Sequence, residues 1–285
     1  MSTATVVEEQ APLQDDIQAI EYFKTAHASL KAEIANRVKD GIASTHGQVY
    51  IWDVVNEAGA ETELWERTGW DYFPEVYRLA RAADPSIQLA YNDYNIANEA
   101  PDGGLLRHKV EDRIQRLLDA GAPVDVLGDQ AHMGIPLTPI PRVLEIWDDW
   151  GQRFKKPLEI TEFDASIPDD TVHEKYVRDF VTAAFSDPNV QSFVMWGFWE
   201  KAQYAGAAGC LFRADWSPRP AEVTFENLVL NQWRTNLTLT TDAAGNATTR
   251  AFLGDYDVQV SANGETQTVK LTVTAAGTQE TIRLP

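Results

Sequence analysis

The sequence predicts an α/β chain: a partial (β/α)8 barrel of the TIM type with about five βα units visible, followed by a small C-terminal antiparallel β module. Three observations predict it. Five runs that are apolar throughout alternate with stretches of helical periodicity, the pattern of a parallel sheet with helices on its faces. Polar residues recur at the C-terminal end of each apolar run, where a (β/α)8 barrel carries its site. The final stretch, 236–285, changes to period-two alternation broken by Gly-containing turns.

Residues 1–13 are polar and contain proline, and they predict an unstructured N-terminus. From Asp16 to about Lys39, Ile17, Ile20, Phe23, Ala26, Leu30, Ile34 and Val38 recur at helical steps. QVYIWDVVNE (48–57) reads as the first buried strand, and a helix over about 64–83 closes at Asp84-Pro85. IQLAYNDYN (87–95) is the second strand, with a helix over 105–120 ending at Gly121. PVDVLGDQAH (123–132), PLEITEFDA (157–165) and VQSFVMWGFWE (190–200) are the next three strands, with helices over 139–154, 171–185 and 221–233. Residues 14–235 therefore form the barrel-like domain.

Polar groups end each strand: Asn56-Glu57, Asn92-Asp93-Tyr94, Gln130 and His132, Glu162 and Asp164, Trp196 and Glu200. Contributions from five strands favour a ring over a doubly wound sheet, whose ligands gather at one switch point. Residues 236–285 predict strands at 236–242, 250–261, 267–274 and 280–284, with Asn263-Gly264 the strongest hairpin turn. A module this small is expected to pack on the barrel. Two tripeptides, Asn236-Leu237-Thr238 and Asn246-Ala247-Thr248, match glycosylation sequons, a pattern that also arises by chance.

Composition narrows the function. The 285 residues carry a formal charge of −19, which repels phosphate backbones and anionic membranes and suits a neutral substrate. Cys210 is the single cysteine, so neither an internal disulfide nor a CxxC zinc motif can form. The N-terminus lacks the basic and long apolar regions of a signal peptide, and no apolar run approaches a membrane span. Nine Trp are present. Most are expected in the core, but indole faces near carboxylates also match a pyranose ring.

Glu57 and Glu162 end two different strands. Two carboxylates across a cleft are what glycoside hydrolysis needs: one gives a proton to the leaving oxygen, the other attacks or steadies the anomeric carbon. Either alone reads as a solvated strand end; the two together, each with polar company at one rim, favour the functional role. Asp164 follows Glu162 by two, and so shares its side of the strand. Gln130 and His132 repeat that spacing on the preceding strand. A network of His132, Asp164 and Glu162 would orient a nucleophile, although His132 alone reads as a core histidine. Glu57, His132, Glu162 and Asp164 are all possible metal ligands, but no HExxH or clustered-His pattern supports a metal site. Trp196 suits a sugar platform, and Trp199 the core.

WDVVNEA, YNDYN, the Gln-x-His of GDQAH and ITEFD, in this order, resemble glycoside hydrolase family 10, the endo-1,4-β-xylanases. The Trp-Gly of MWGFWE is similar to that family's last-strand motif, and LVLNQWRT and AFLGDYDVQV to longer members ending in a small β module. The resemblance covers about residues 30–235. It implies Glu57 as general acid/base and Glu162 as nucleophile of a retaining double displacement on xylan or a related β-1,4-glycan. It implies that Asn56 binds the 2-hydroxyl of the sugar being cleaved, that His132 lies near the nucleophile, held by Asp164 with Gln130 beside it, and that Tyr94 faces the leaving-group side. Trp196 would stack beneath the reacting sugar, and Tyr204 is the candidate aromatic of the last loop. No metal or organic cofactor is implied, and export is.

The family's first three strands carry a Glu-Asn pair, a Lys and a His-x-x-x-Trp region that hold the non-reducing side of the substrate. None of these is found here, so the chain is expected to enter the family pattern in the helix before its fourth strand. Two alternatives follow: a truncated, weakly active or inactive member, or a carbohydrate-binding protein without catalysis.

Overall fold

The computed structural model describes residues 11–45, 47–99 and 101–284, and of these the side chains other than 11–20, 22 and 23. The predicted unstructured N-terminus lies outside the described residues over 1–10, whereas Ala11, Pro12 and Leu13 already stand in the first helix, α1 (Ala11–Ser44). Of the expected apolar positions of α1, Ile17, Ile20 and Phe23 fall outside the described side chains. Ala26 is exposed, and Leu30, Ile34 and Val38 are half-buried.

The alternation follows as predicted: β1 (Ile51–Asn56), α2 (Glu63–Thr68), α3 (Phe73–Ala83), β2 (Gln88–Asp93), α4 (Leu105–Asp119), β3 (Val126–Asp129), β4 (His132–Met133), α5 (Ile140–Phe154), β5 (Leu158–Ala165), α6 (Asp170–Ser186) and β6 (Val190–Met195). Three of the segments expected to be continuous are interrupted or cut short, each at a backbone turn. The helix over 64–83 is two helices, because Gly69 takes φ 86° and caps α2 through its N–H to Trp65 O. The strand over 123–132 is interrupted after Asp129, where Ala131 takes φ 54° before β4 resumes. The strand over 190–200 stops at Met195, and Gly197 with φ 67° turns the chain away.

Every strand pairing in this first sheet is parallel. β1 pairs β2, β2 pairs β3, β3 pairs β5, β6 pairs β5, and the short β4 lies along the end of β5 with His132 opposite Asp164. Among the described residues, β1, β4 and β6 each pair with one strand only. The arc curls inward. Asn92 of β2 reaches Glu162 of β5 at 3.1 Å, and Gln191 of β6 reaches Gln88 of β2 at 3.3 Å. Side chains of non-adjacent strands meet in this way only across the concave face of a sheet bending toward a barrel.

Helices cover the outer face. Trp147 and Trp150 of α5 are fully buried, and Phe163 of β5 stacks on Phe180 of α6 with centroids 4.4 Å apart. Each such ring contributes roughly 1.5–3 kcal/mol by burial. Buried indole N–H groups need partners: Trp147 Nε1 donates to Asp129 at 3.1 Å and Trp150 Nε1 to Glu111 at 3.1 Å.

The chain divides into two compact units between Ala221 and Glu222, inside α7 (Pro220–Glu226), which a π-helical turn, Asn227–Gln232, extends. In the second unit, β7 (Gly254–Ala262) and β8 (Glu265–Val273) form an antiparallel hairpin. Asn263 (φ 53°) and Gly264 (φ 86°) make its two-residue turn, the geometry an Asn-Gly pair favours. The strands expected over 236–242 and 280–284 are not formed. Alternation marks a face, but a strand needs a partner ladder, and only the two segments joined by this turn have one in register.

Candidate active site

The rim at the strand ends is built on two buried carboxyls that are register partners, Asp93 and Asp129. Asp93 accepts from the Gly59 N–H (2.9 Å), the Tyr91 hydroxyl (2.9 Å) and the Tyr94 N–H (3.0 Å). It thereby ties the loop after β1 to the end of β2. Asp129 accepts from Trp147 and from the Ala131 N–H at 3.0 Å, fixing the kink between β3 and β4. Burial pushes both carboxyls up to about 6, against the hydrogen bonds that pull them down.

These anchored turns aim the reactive groups. Glu57 follows β1 with φ 61°, a conformation non-glycine residues rarely adopt, and its N–H bonds Asn92 O at 2.9 Å. Its Oε1 accepts from Gln130 Nε2 (2.9 Å) and Asn56 Nδ2 (3.0 Å). Asn56 Oδ1 in turn accepts from Asn92 Nδ2 at 3.0 Å, and that same Nδ2 donates to Glu162 Oε1 at 3.1 Å. The Asn92 amide is oriented by the carboxylate oxygen of Glu162, which calls for a donor, and its Oδ1 on the other side accepts from the Thr161 hydroxyl at 2.8 Å. Two carboxylates are therefore joined by a relay of side-chain amides. Gly128 makes room for it: a Cβ there would lie 2.4 Å from Asn92 Oδ1.

His132 sits between the carboxylates of β5. Its Nδ1 lies 3.2 Å from Asp164 Oδ1, and its Nε2 stands at ion-pair distance, 3.6 Å, from Glu162 Oε2. Partial burial opposes charge on the ring, but Asp164 and Glu162 outweigh it and raise the imidazole to about 9. The neutral-pH species is an imidazolium beside Glu162. Asp164 is itself buried, and its second oxygen accepts from Gln203 Nε2 at 3.0 Å.

Glu57, Tyr94, Gln130, His132, Glu162, Asp164 and Trp196 line one cleft of about 450 Å³, and Tyr204 lines it too. Asn56 sits at its edge through the bonds to Glu57 and Gln130. The Trp196 ring meets His132 edge to face at 6.0 Å and is 45% exposed, while Tyr204 is 95% exposed. Trp199, expected in the core, is half-buried and stacks on Trp216 at 4.8 Å. Sequence reasoning gave no role to Asn92 or Gln203. Asn92 had a signal: in β2 it points to the side opposite Tyr91 and Asp93, which bond each other. Gln203 lies in a loop without periodicity and had none.

A profile of the family described as Glycosyl hydrolase family 10 matches residues 13–227. Anti-sigma-I factor RsgI6 of Acetivibrio thermocellus is 28% identical over 261 residues, 90% of this chain and 33% of that protein. Endo-1,4-beta-xylanase 1 of Arabidopsis thaliana is 27% identical over 263 residues, 92% of this chain and 27% of that one. The crystal structure of xylanase 10B from Thermotoga petrophila RKU-1 in complex with xylobiose is similar with TM-score 0.60 and 25% identity, over 70% of this chain and 65% of that one. The chain thus spans about a third or less of the length of these two curated relatives.

Proposed function

The chain belongs to glycosyl hydrolase family 10, and from that premise we propose that it hydrolyses xylan or a related β-1,4-glycan with retention at the anomeric carbon. The observation that carries the proposal is the relay from Glu57 through Asn56 and Asn92 to Glu162. Glu162 attacks the anomeric carbon while Glu57 hands its proton to the departing glycosidic oxygen, and a covalent glycosyl-enzyme forms. Glu57, now a carboxylate, takes a proton from water, whose oxygen displaces Glu162 and restores the starting state.

The neighbouring side chains have roles in this proposal. His132, charged and held by Asp164, places its positive ring 3.6 Å from Glu162 Oε2. Gln130 and Asn56 orient Glu57, and Asn56 also holds the 2-hydroxyl of the reacting sugar. Trp196 offers an exposed indole face to that sugar, and Tyr94 faces the leaving group. The test is proton NMR of xylo-oligosaccharide cleavage, with the β-anomer expected before mutarotation and none released by Glu162→Gln. Initial release of the α-anomer excludes retention.

A second reading, polysaccharide binding without cleavage, draws on the relative whose name is an anti-sigma factor and which aligns over 90% of this chain. It predicts retention on insoluble xylan with no new reducing ends, and steady release of reducing ends rejects it.

A further inference from the structure

Asp164 is the far end of the His132–Glu162 array, and the side chain behind it belongs to a loop. Gln203 follows β6 by eight residues and is 7% exposed. Its Nε2 donates to Asp164 Oδ2 at 3.0 Å and lies 3.4 Å from Gly209 O, while its Oε1 accepts the Tyr204 N–H at 3.0 Å. The Tyr204 N–H can be met only by an acceptor, so it fixes which end of the amide faces Asp164. Two glycines leave the space. A Cβ on Gly197 would stand 2.3 Å from Gln203 Oε1, and one on Gly209 would stand 3.2 Å from its Nε2. The loop is held in turn by buried Arg219, whose guanidinium donates to the carbonyls of Ala207 (2.9 Å), Ala208 (3.1 Å) and Cys210 (3.0 Å).

We propose that Gln203 is a positioning residue for the nucleophile, acting through Asp164 and His132, and that it couples the state of the loop bearing Tyr204 to the orientation of Glu162. The proposal rests on the hydrolytic reading for its kinetic consequence but not for its structural one. A carboxylate with both oxygens engaged cannot rotate. With Oδ2 fixed by Gln203, Oδ1 stays on His132 Nδ1, and Nε2 is left as the nitrogen facing Glu162. Tyr204 lines the substrate cleft one residue away, so displacing the loop would withdraw the Gln203 donor and loosen Asp164. The charged groups facing His132 are Glu162 and Asp164 of β5 and Asp129 at the end of β3.

The experiment is a proton NMR titration of the full chain, with the His132 ring resonance assigned by comparison with His132→Asn. Gln203→Glu keeps the shape but sets a carboxylate against Asp164. His132 titrates well above the range in which paired carboxyls retain a shared proton, so it meets one more negative charge there. Its midpoint moves up by about half a unit to one unit. Gln203→Met keeps the length and removes the donors. It is expected to lower kcat on xylan by roughly tenfold to 10²-fold with KM little changed. In Gln203→Met, which adds no charge, the loosened Asp164 is expected to lower the His132 midpoint; a purely structural role would lower thermal stability in both variants and leave that midpoint at its wild-type value, and that result overturns the proposal. If the wild type does not cleave xylan, the hydrolytic reading fails, and the His132 titration still decides the role of Gln203.

Discussion

Asn92 Nδ2 lies 3.1 Å from Glu162 Oε1 and 3.0 Å from Asn56 Oδ1, so one amide nitrogen serves both halves of the site. Asn92→Asp keeps the shape and sets a carboxylate where a donor stood. Like charges at that distance force one of the pair to hold a proton. Hydrolysis at pH 5–6 is expected to fall by about 10²-fold, a loss of the size seen when a single preorganised donor is removed. A pH series of kcat/KM checks this, and a variant that matches the wild type throughout shows that the relay has no kinetic role.

The same amide can be disturbed from behind. In Gly128→Ala the new methyl would lie 2.4 Å from Asn92 Oδ1 and 3.0 Å from its Cγ. Asn92 has nowhere to retreat, being completely buried. Overpacking of this kind costs about 1–3 kcal/mol. The expected result is a modestly destabilised protein in urea whose loss of hydrolysis exceeds anything its unfolded fraction explains. Unchanged activity in the folded variant would show that the position of Asn92 is unimportant.

Five strands and the placing of the two glutamates at one rim were legible because each apolar run ends abruptly in polar residues, and short runs that are apolar throughout leave few other assignments. Less legible were the places where the backbone leaves its regular path. The break between β3 and β4 depends on Asp129 accepting the Ala131 N–H while buried against Trp147. No local propensity marks an alanine for φ 54°. Asn92 stood within a motif, yet its role required knowing that β5 curls to face β2. Gln203 acts through a loop whose shape is set by Arg219, sixteen residues further on. In the second unit the alternation over 236–242 and 280–284 had no pairing partner to turn it into strands.

Glu57→Ala separates the two carboxylates kinetically. A proton donor matters in proportion to how poor the leaving group is. Xylan leaves as a sugar alkoxide and needs the proton, whereas an activated aryl xyloside departs without it. The variant is expected to lose 10²-fold or more on xylan, the usual scale of general acid catalysis, and far less on the aryl substrate. Rates of glycosyl-enzyme formation on the two substrates make the comparison. Equal losses on both would remove Glu57 from the acid role.

His132 gives the site a pH signature whose sign is fixed by linkage. In the folded chain its imidazole is raised to about 9 from 6.5, because Asp164 and Glu162 outweigh the burial that opposes them. Below 6.5 the folded and unfolded chains both hold the proton, and the stabilisation from the imidazolium is complete. Between 6.5 and about 9 the folded chain keeps a proton that the unfolded chain has released, so stability falls as pH rises. Above about 9 the contribution is gone. His132→Asn, which cannot titrate, lacks this dependence. Urea unfolding of the two proteins at pH 6, 7.5 and 9 is expected to show a stability difference that is largest at pH 6 and shrinks toward pH 9. A difference that stays constant across that range would mean that His132 is not charged beside Glu162.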